Sequence, residues 1–106
     1  MTLDKKEIAE YIGEIVSETY GVIGLVKPTN SFSNFTLLKK NHYFEGIKLS
    51  ESGDKYFVDV HVCVLYGLKV TEIVNEIYKR LSYLLKQKYG DVFKKINVFI
   101  DNIQEL

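Results

Sequence analysis

The stretch Tyr56 to Tyr66, YFVDVHVCVLY, constrains this chain more than any other. Its alternate positions Tyr56, Val58, Val60, Val62, Val64 and Tyr66 form an unbroken apolar series. A strand points alternate side chains to opposite faces, so this spacing predicts one strand with a continuous apolar face. Valine reinforces the reading, because its branched Cβ favours the extended backbone. The other face carries Phe57, Asp59, His61, Cys63 and Leu65, a mixed row. A strand of this kind needs a covering layer on one side only.

Two amphipathic segments supply that layer. From Asp4 to Tyr20, Ile8, Tyr11, Ile12, Ile15, Val16 and Thr19 recur at helical spacing. Asp4 and Glu7 have the spacing of a capping box, and Gly21 follows as a stop. From Lys69 to Lys88, Val70, Ile73, Val74, Ile77, Leu81, Leu84 and Leu85 make a second stripe that ends before Gly90. Glu72 and Glu76 lie early in that segment and Lys79, Arg80, Lys86 and Lys88 late, matching the helix dipole. VIGLV at 22–26, GIKLS at 46–50 and INVFIDNI at 96–103 read as further strands. ESGDK turns the second into the long third. In the last strand Asn97, Phe99, Asp101 and Ile103 alternate with Ile96, Val98 and Ile100.

The expected fold is therefore α+β, in the order α-β-β-β-α-β. It is a two-layer sandwich: a small mixed or antiparallel sheet with two helices packed on one face. Residues 1–106 form a single domain, interrupted by a long irregular loop at about 27–44. The loop holds the only proline, Pro28, and the apolar residues Phe32, Phe35, Leu37, Leu38, Tyr43 and Phe44. A short helical turn is expected within Ser33 to Lys40. Loops this long in small domains are usually functional or mobile.

Charge narrows the function classes. Fourteen basic residues balance 14 acidic ones, so no net charge draws the chain to nucleic acid or anionic membranes. The single cysteine closes no internal disulfide, which suits a reducing compartment. The opening MTLDKKEIAEYIG lacks the apolar centre of a signal peptide, and no apolar run approaches the roughly 20 residues that span a bilayer. Without a secretory signal, the Asn34-Phe35-Thr36 sequon carries no meaning.

Asp59, His61 and Cys63 stand in one row, and the row invites a catalytic reading. Residues two apart on a strand are roughly 6.6 Å apart at the backbone, too far for hydrogen-bond reach at both links of a triad. No cation stands near Cys63 in sequence to lower its pKa. Zinc needs three or four convergent ligands, and Asp59 to Cys63 spans about 13 Å. His42 with His61 and Cys63 has no recognised ligand spacing. The row is better read as one side of an interaction surface, which with the last strand comprises Phe57, Asp59, His61, Cys63, Leu65 and Phe99. Gly21 to Gly24 spells GxxG but opens an apolar strand, unlike the loop that clamps RNA. Lys79, Arg80, Lys86, Lys88, Lys94 and Lys95 form the best basic patch. They support the alternative function, a small RNA- or anionic-ligand-binding module.

The segments IAEYIGEIVSETYGVIGLV, GIKL, VDVHVCVLYGLKVTEIVNEIYKRL and NVFIDNI, in this order, resemble the alkaline shock protein (Asp/Gls) family of envelope stress response proteins from Gram-positive and related bacteria. The resemblance covers nearly the whole chain outside Lys27 to Tyr43. Gly13 stands where a small residue such as alanine is usual, and IDNI replaces a glycine-containing end. The resemblance implies a non-catalytic protein without cofactor, linked to cell-envelope and alkaline stress. It implies a cytoplasmic protein that associates with itself and reaches the membrane through a small anchor or adaptor protein. It transfers no active-site residue.

Overall fold

The computed structural model describes residues 4–28 and 37–105. The aromatics Phe32 and Phe35, the sequon and the first half of the expected helical turn at 33–40 lie outside them; in its second half Leu37 bridges Val26 instead, and helical backbone begins only at Lys40. In chain order the elements are α1 (Lys5–Ser17), β1 (Val22–Leu25), a 3-10 helix (Lys40–Gly46), β2 (Ile47–Ser52), β3 (Lys55–Leu65), α2 (Val70–Tyr89) and β4 (Phe93–Gln104).

Asp4 caps α1: its Oδ1 accepts from the backbone N–H of Lys6 at 3.0 Å and of Glu7 at 3.4 Å. Helix α1 ends at Ser17, earlier than the apolar spacing predicts. Just beyond, the Thr19 hydroxyl donates to the Ile15 carbonyl at 2.9 Å, and Gly21 turns the chain at φ 91°. The hairpin turn is tighter than ESGDK suggests. Ser52 pairs directly with Lys55, leaving Gly53 and Asp54 as a two-residue connection. Gly53 has φ 65° while Asp54, like every non-glycine among the described residues, does not have positive φ, the pattern of a hairpin turn that takes glycine first.

The sheet is mixed and built around β3. Strand β4 runs parallel to β3 on one side; β1 and β2 run antiparallel to it on the other. Parallel pairing needs a crossover, and α2 provides it. Strands β1 and β2 lie end to end along the same edge. Val26 donates its N–H to the His61 carbonyl, and Ile47 pairs with Val60, one residue along β3. The chain leaves the β3 edge after Val26, bridges Val26 again at Leu37, and returns to β3 at Ile47. The 3-10 helix on the way back docks on α1, where the Tyr43 ring occupies the space a Cβ at Gly13 would need.

Both helices cover one face. Ile8, Ile12 and Val16 of α1 and Ile77, Leu81 and Leu85 of α2 meet Val58, Val60, Val62 and Val64 of β3 in one buried cluster. The four valines are fully buried, as the alternation predicts. Tyr66 departs from it. It follows the end of β3 and is 64% exposed, because its backbone has already turned and its N–H bonds the Gln104 carbonyl.

Candidate functional site: the outer sheet face

The face of the sheet away from the helices is a ladder of side-chain pairs between β3 and β4. In a parallel sheet, residues in register project to the same side, so each partner follows from the pairing. Asp59 is opposite Asn97, whose Nδ2 donates to Asp59 Oδ1 at 2.9 Å. His61 is opposite Phe99; the rings stack at 4.8 Å between centroids and 12° between planes. His61 Nδ1 also sits 2.8 Å from Asp101 Oδ2. An ionised carboxylate only accepts, so Nδ1 carries the proton in this bond. Phe57 and Leu65, half-buried, close the row at its two ends.

A bulge produces the Asp101 contact. Val62 pairs with Ile100 but Cys63 with Asn102, so β4 holds one extra residue, Asp101. A bulge re-aims the side chains around it. Here it brings a carboxylate onto the ring of His61. It also corrects the expected alternation. Ile103 does not share the side of Phe99; it pairs with core-facing Val64, at the sheet end where it is 51% exposed. Asn97 and Asp101 were visible as polar positions on the last strand, but their pairing with Asp59 and His61 depends on a register no local spacing encodes.

Cys63 falls in the same row yet is fully buried. It pairs with Gly24 of β1, and the Leu37 side chain lies over Gly24 on that side. Burial pushes its thiol pKa up from 9.0, the opposite of what a nucleophile needs. The opening row therefore resolves into separate parts. Asp59 is held by Asn97, His61 by Asp101 and Phe99, and Cys63 is set apart under cover. Among the described residues no three His, Cys, Asp or Glu side chains converge on a point that would hold a metal ion.

Two consequences of the buried thiol are measurable. The native chain should resist thiol-alkylating reagent, at least tenfold more slowly than the urea-unfolded chain, because reaction requires opening of β1 from β3. The raised folded-state pKa also fixes a sign. The stability due to the neutral thiol is fully present below the unfolded value of 9.0 and is lost as pH rises through the higher folded value. Urea midpoints should fall as pH rises above 9.0, and Cys63→Ala should flatten the fall; equal slopes would refute the assignment.

The six basic residues do not form one surface. Arg80 turns toward α1, donating to Thr19 Oγ1 at 3.1 Å and lying 3.9 Å from Glu18. Lys88 also turns to α1, its Nζ 4.1 Å from the centroid of the Tyr11 ring. Lys79 is exposed on α2. Lys86 and Lys94 line a shallow groove of about 200 Å³ with Tyr78, Asp91 and Phe93. Lys95 stands on the outer face in register with Phe57.

No helix among the described residues is long and apolar enough to cross a membrane. The chain fold is similar to two solved structures of MamM CTD variants, with TM-scores of 0.54 and 0.57 at 13% and 12% identity. Each comparison covers 97% of this chain and 100% of the other, and the second of these structures is a manganese form. At that identity the likeness speaks for the fold alone. Sequence relatives are nearer. The uncharacterized protein Spy1614 of Streptococcus pyogenes is 30% identical over 92% of this chain and 81% of its own length. The uncharacterized protein YloU of Bacillus subtilis is 20% identical over 96% of this chain and 86% of its own. The model of the alkaline shock protein 23 family, described as having a cell envelope-related function, matches residues 1–105. With its helices on one face of the sheet and a paired polar and aromatic ladder on the other, the chain belongs to this alkaline shock protein family.

Proposed function

We propose that this protein works without catalysis, by binding copies of itself through the outer sheet face and then an adaptor that places it at the cell envelope. The observation that carries this reading is the uncovered His61–Phe99 stack. Both helices cover the opposite face, and Phe99 is 43% exposed beside a satisfied polar ladder. Rigid aromatic area among paired polar groups suits an interface, because little side-chain entropy is left to lose on docking. Phe57, Asp59, His61, Leu65 and Phe99 would form the contact, with Cys63 beneath it as packing. The returning segment around the 3-10 helix, or the groove holding Lys86 and Lys94, would meet the adaptor. A cytoplasmic protein held at the membrane by that partner is the arrangement this reading requires.

Light scattering across a concentration range tests it. The wild type should exceed its monomer mass of 12.3 kDa. The folded double variant His61→Glu, Phe99→Glu should remain monomeric, since it puts like charges where apolar contact is needed. A wild type that stays monomeric at every concentration would remove the proposal.

A further inference from the structure

The open edge of β4 offers copies of this chain a second contact, beside the outer face. Among the described residues, the only strand partner of β4 is β3. Its other edge, among the described residues, therefore presents backbone donors and acceptors over the regular stretch Lys95 to Ile100. Long unpaired edges are templates for another strand. The side chains along this edge are also incompletely covered. On the helix side Ile96, Val98 and Ile100 are only half-buried, whereas the valines beside them on β3 are fully buried. On the other side Phe99 is exposed. A second strand laid along this edge would complete the cover of both rows.

We infer that two copies of this chain pair β4 to β4, antiparallel, about a two-fold axis at Val98, joining their sheets into one. A two-fold axis perpendicular to the sheet pairs residues of the same parity and keeps both helix layers on the same side. Within that restriction, the half-buried apolar row selects the register. With Val98 opposite its own copy, Ile96 meets Ile100 and Asn97 meets Phe99, each pair occurring twice. Shifting the axis to residue 97 sets Ile96 against Val98 and leaves Ile100 without an apolar partner. Shifting it to residue 99 sets Val98 against Ile100 and leaves Ile96 without one. Of these three, only the axis at Val98 stacks the whole apolar row on itself. The regular part of β4, Lys95 to Ile100, lies between register shifts at its two ends. These confine pairing to a short central segment, so a pair of copies closes and a continuing fibre is disfavoured. The joined outer faces would then form one surface with two His61–Phe99 stacks.

This inference rests on the proposed self-association, and disulfide mapping separates the two. In a Cys63→Ala background, chains carrying Asn97→Cys and chains carrying Phe99→Cys are oxidised separately and as a mixture. Opposed residues lie within disulfide range, whereas the diagonal neighbours of the inferred register lie at or beyond its limit. The mixture should cross-link to dimer about tenfold faster than either variant alone. Faster cross-linking by Asn97→Cys alone or by Phe99→Cys alone would place the axis at residue 97 or 99 and overturn the register. If no combination cross-links while the unmodified protein assembles in light scattering, the edge is not the contact, and self-association through the outer face stands. If the unmodified protein does not assemble, both fall.

Discussion

Leu81→Ala should lower the unfolding free energy by about 3 kcal/mol and the melting temperature by roughly 15 °C. Leu81 is fully buried and lies one helical turn from Ile77 and Leu85 on the stripe of α2 that faces β3. Truncation loses the transfer free energy of the removed methyl and methylene groups. It also leaves a cavity that a close-packed neighbourhood fills only in part. The neighbourhood is stiff here, since its floor is a row of β-branched valines on the central strand. The matched change Tyr83→Ala, on the exposed side of the same helix at 67% exposure, should stay within about 0.5 kcal/mol of the wild type. Urea denaturation of both variants measures the contrast. If Leu81→Ala cost less than 1 kcal/mol, α2 would not be the layer that covers β3. Helix α2 is also the crossover that makes β3 and β4 parallel. A loosened α2 should therefore weaken assembly through β4 as well as stability.

The elements legible in the sequence are those specified by local spacing. Val58, Val60, Val62 and Val64 announce a strand buried on one face, and Ile73, Ile77, Leu81 and Leu85 announce the helix over it. Both periodicities survive folding because each element meets the core along its whole length. The two-layer α+β architecture follows from counting one apolar face and two apolar stripes. What stayed hidden depends on contacts between distant residues. A bulge has no compositional signature, so the extra residue at Asp101, and with it the bond to His61, could not be read from INVFIDNI. Cys63 alternates with half-buried neighbours in sequence but is fully buried, because Gly24 and Leu37 arrive from segments far earlier in the chain. Tyr66 fits the apolar alternation but stands past the last paired residue of β3, where periodicity no longer reports a face. The basic residues of α2 and β4 look like one cluster in sequence, yet Arg80 and Lys88 are drawn to α1 by Thr19 and Tyr11.

Gly46→Ala should destabilise the domain by about 2–3 kcal/mol, more than the same change at the hairpin turn. Sequence alone ranks the two the other way, because a glycine in a tight turn has an obvious conformational role. At Gly53 a Cβ meets nothing within 4 Å, so alanine there bears only the backbone penalty of a positive φ, 65°, about 1–2 kcal/mol. At Gly46 a Cβ would come within 2.7 Å of the Val26 carbonyl oxygen and 3.0 Å of Leu38 Cδ1. The nearer atom is backbone, held where β1 ends and the chain leaves the sheet, and it has no side-chain torsion by which to yield. Relief requires separating Val26 from Gly46, which are the two ends of the excursion from the β3 edge. That movement strains the Val26 N–H bond to His61 or the Ile47 pairing with Val60. Since His61 is also the residue stacked on Phe99, the strain reaches the outer face directly. Gly46→Ala should thus lower the urea midpoint more than Gly53→Ala and weaken self-association at protein concentrations where Gly53→Ala still assembles. Equal midpoints for the two variants would mean that the ends of the excursion are not held together. The end-to-end alignment of β1 and β2 would then lose its structural basis.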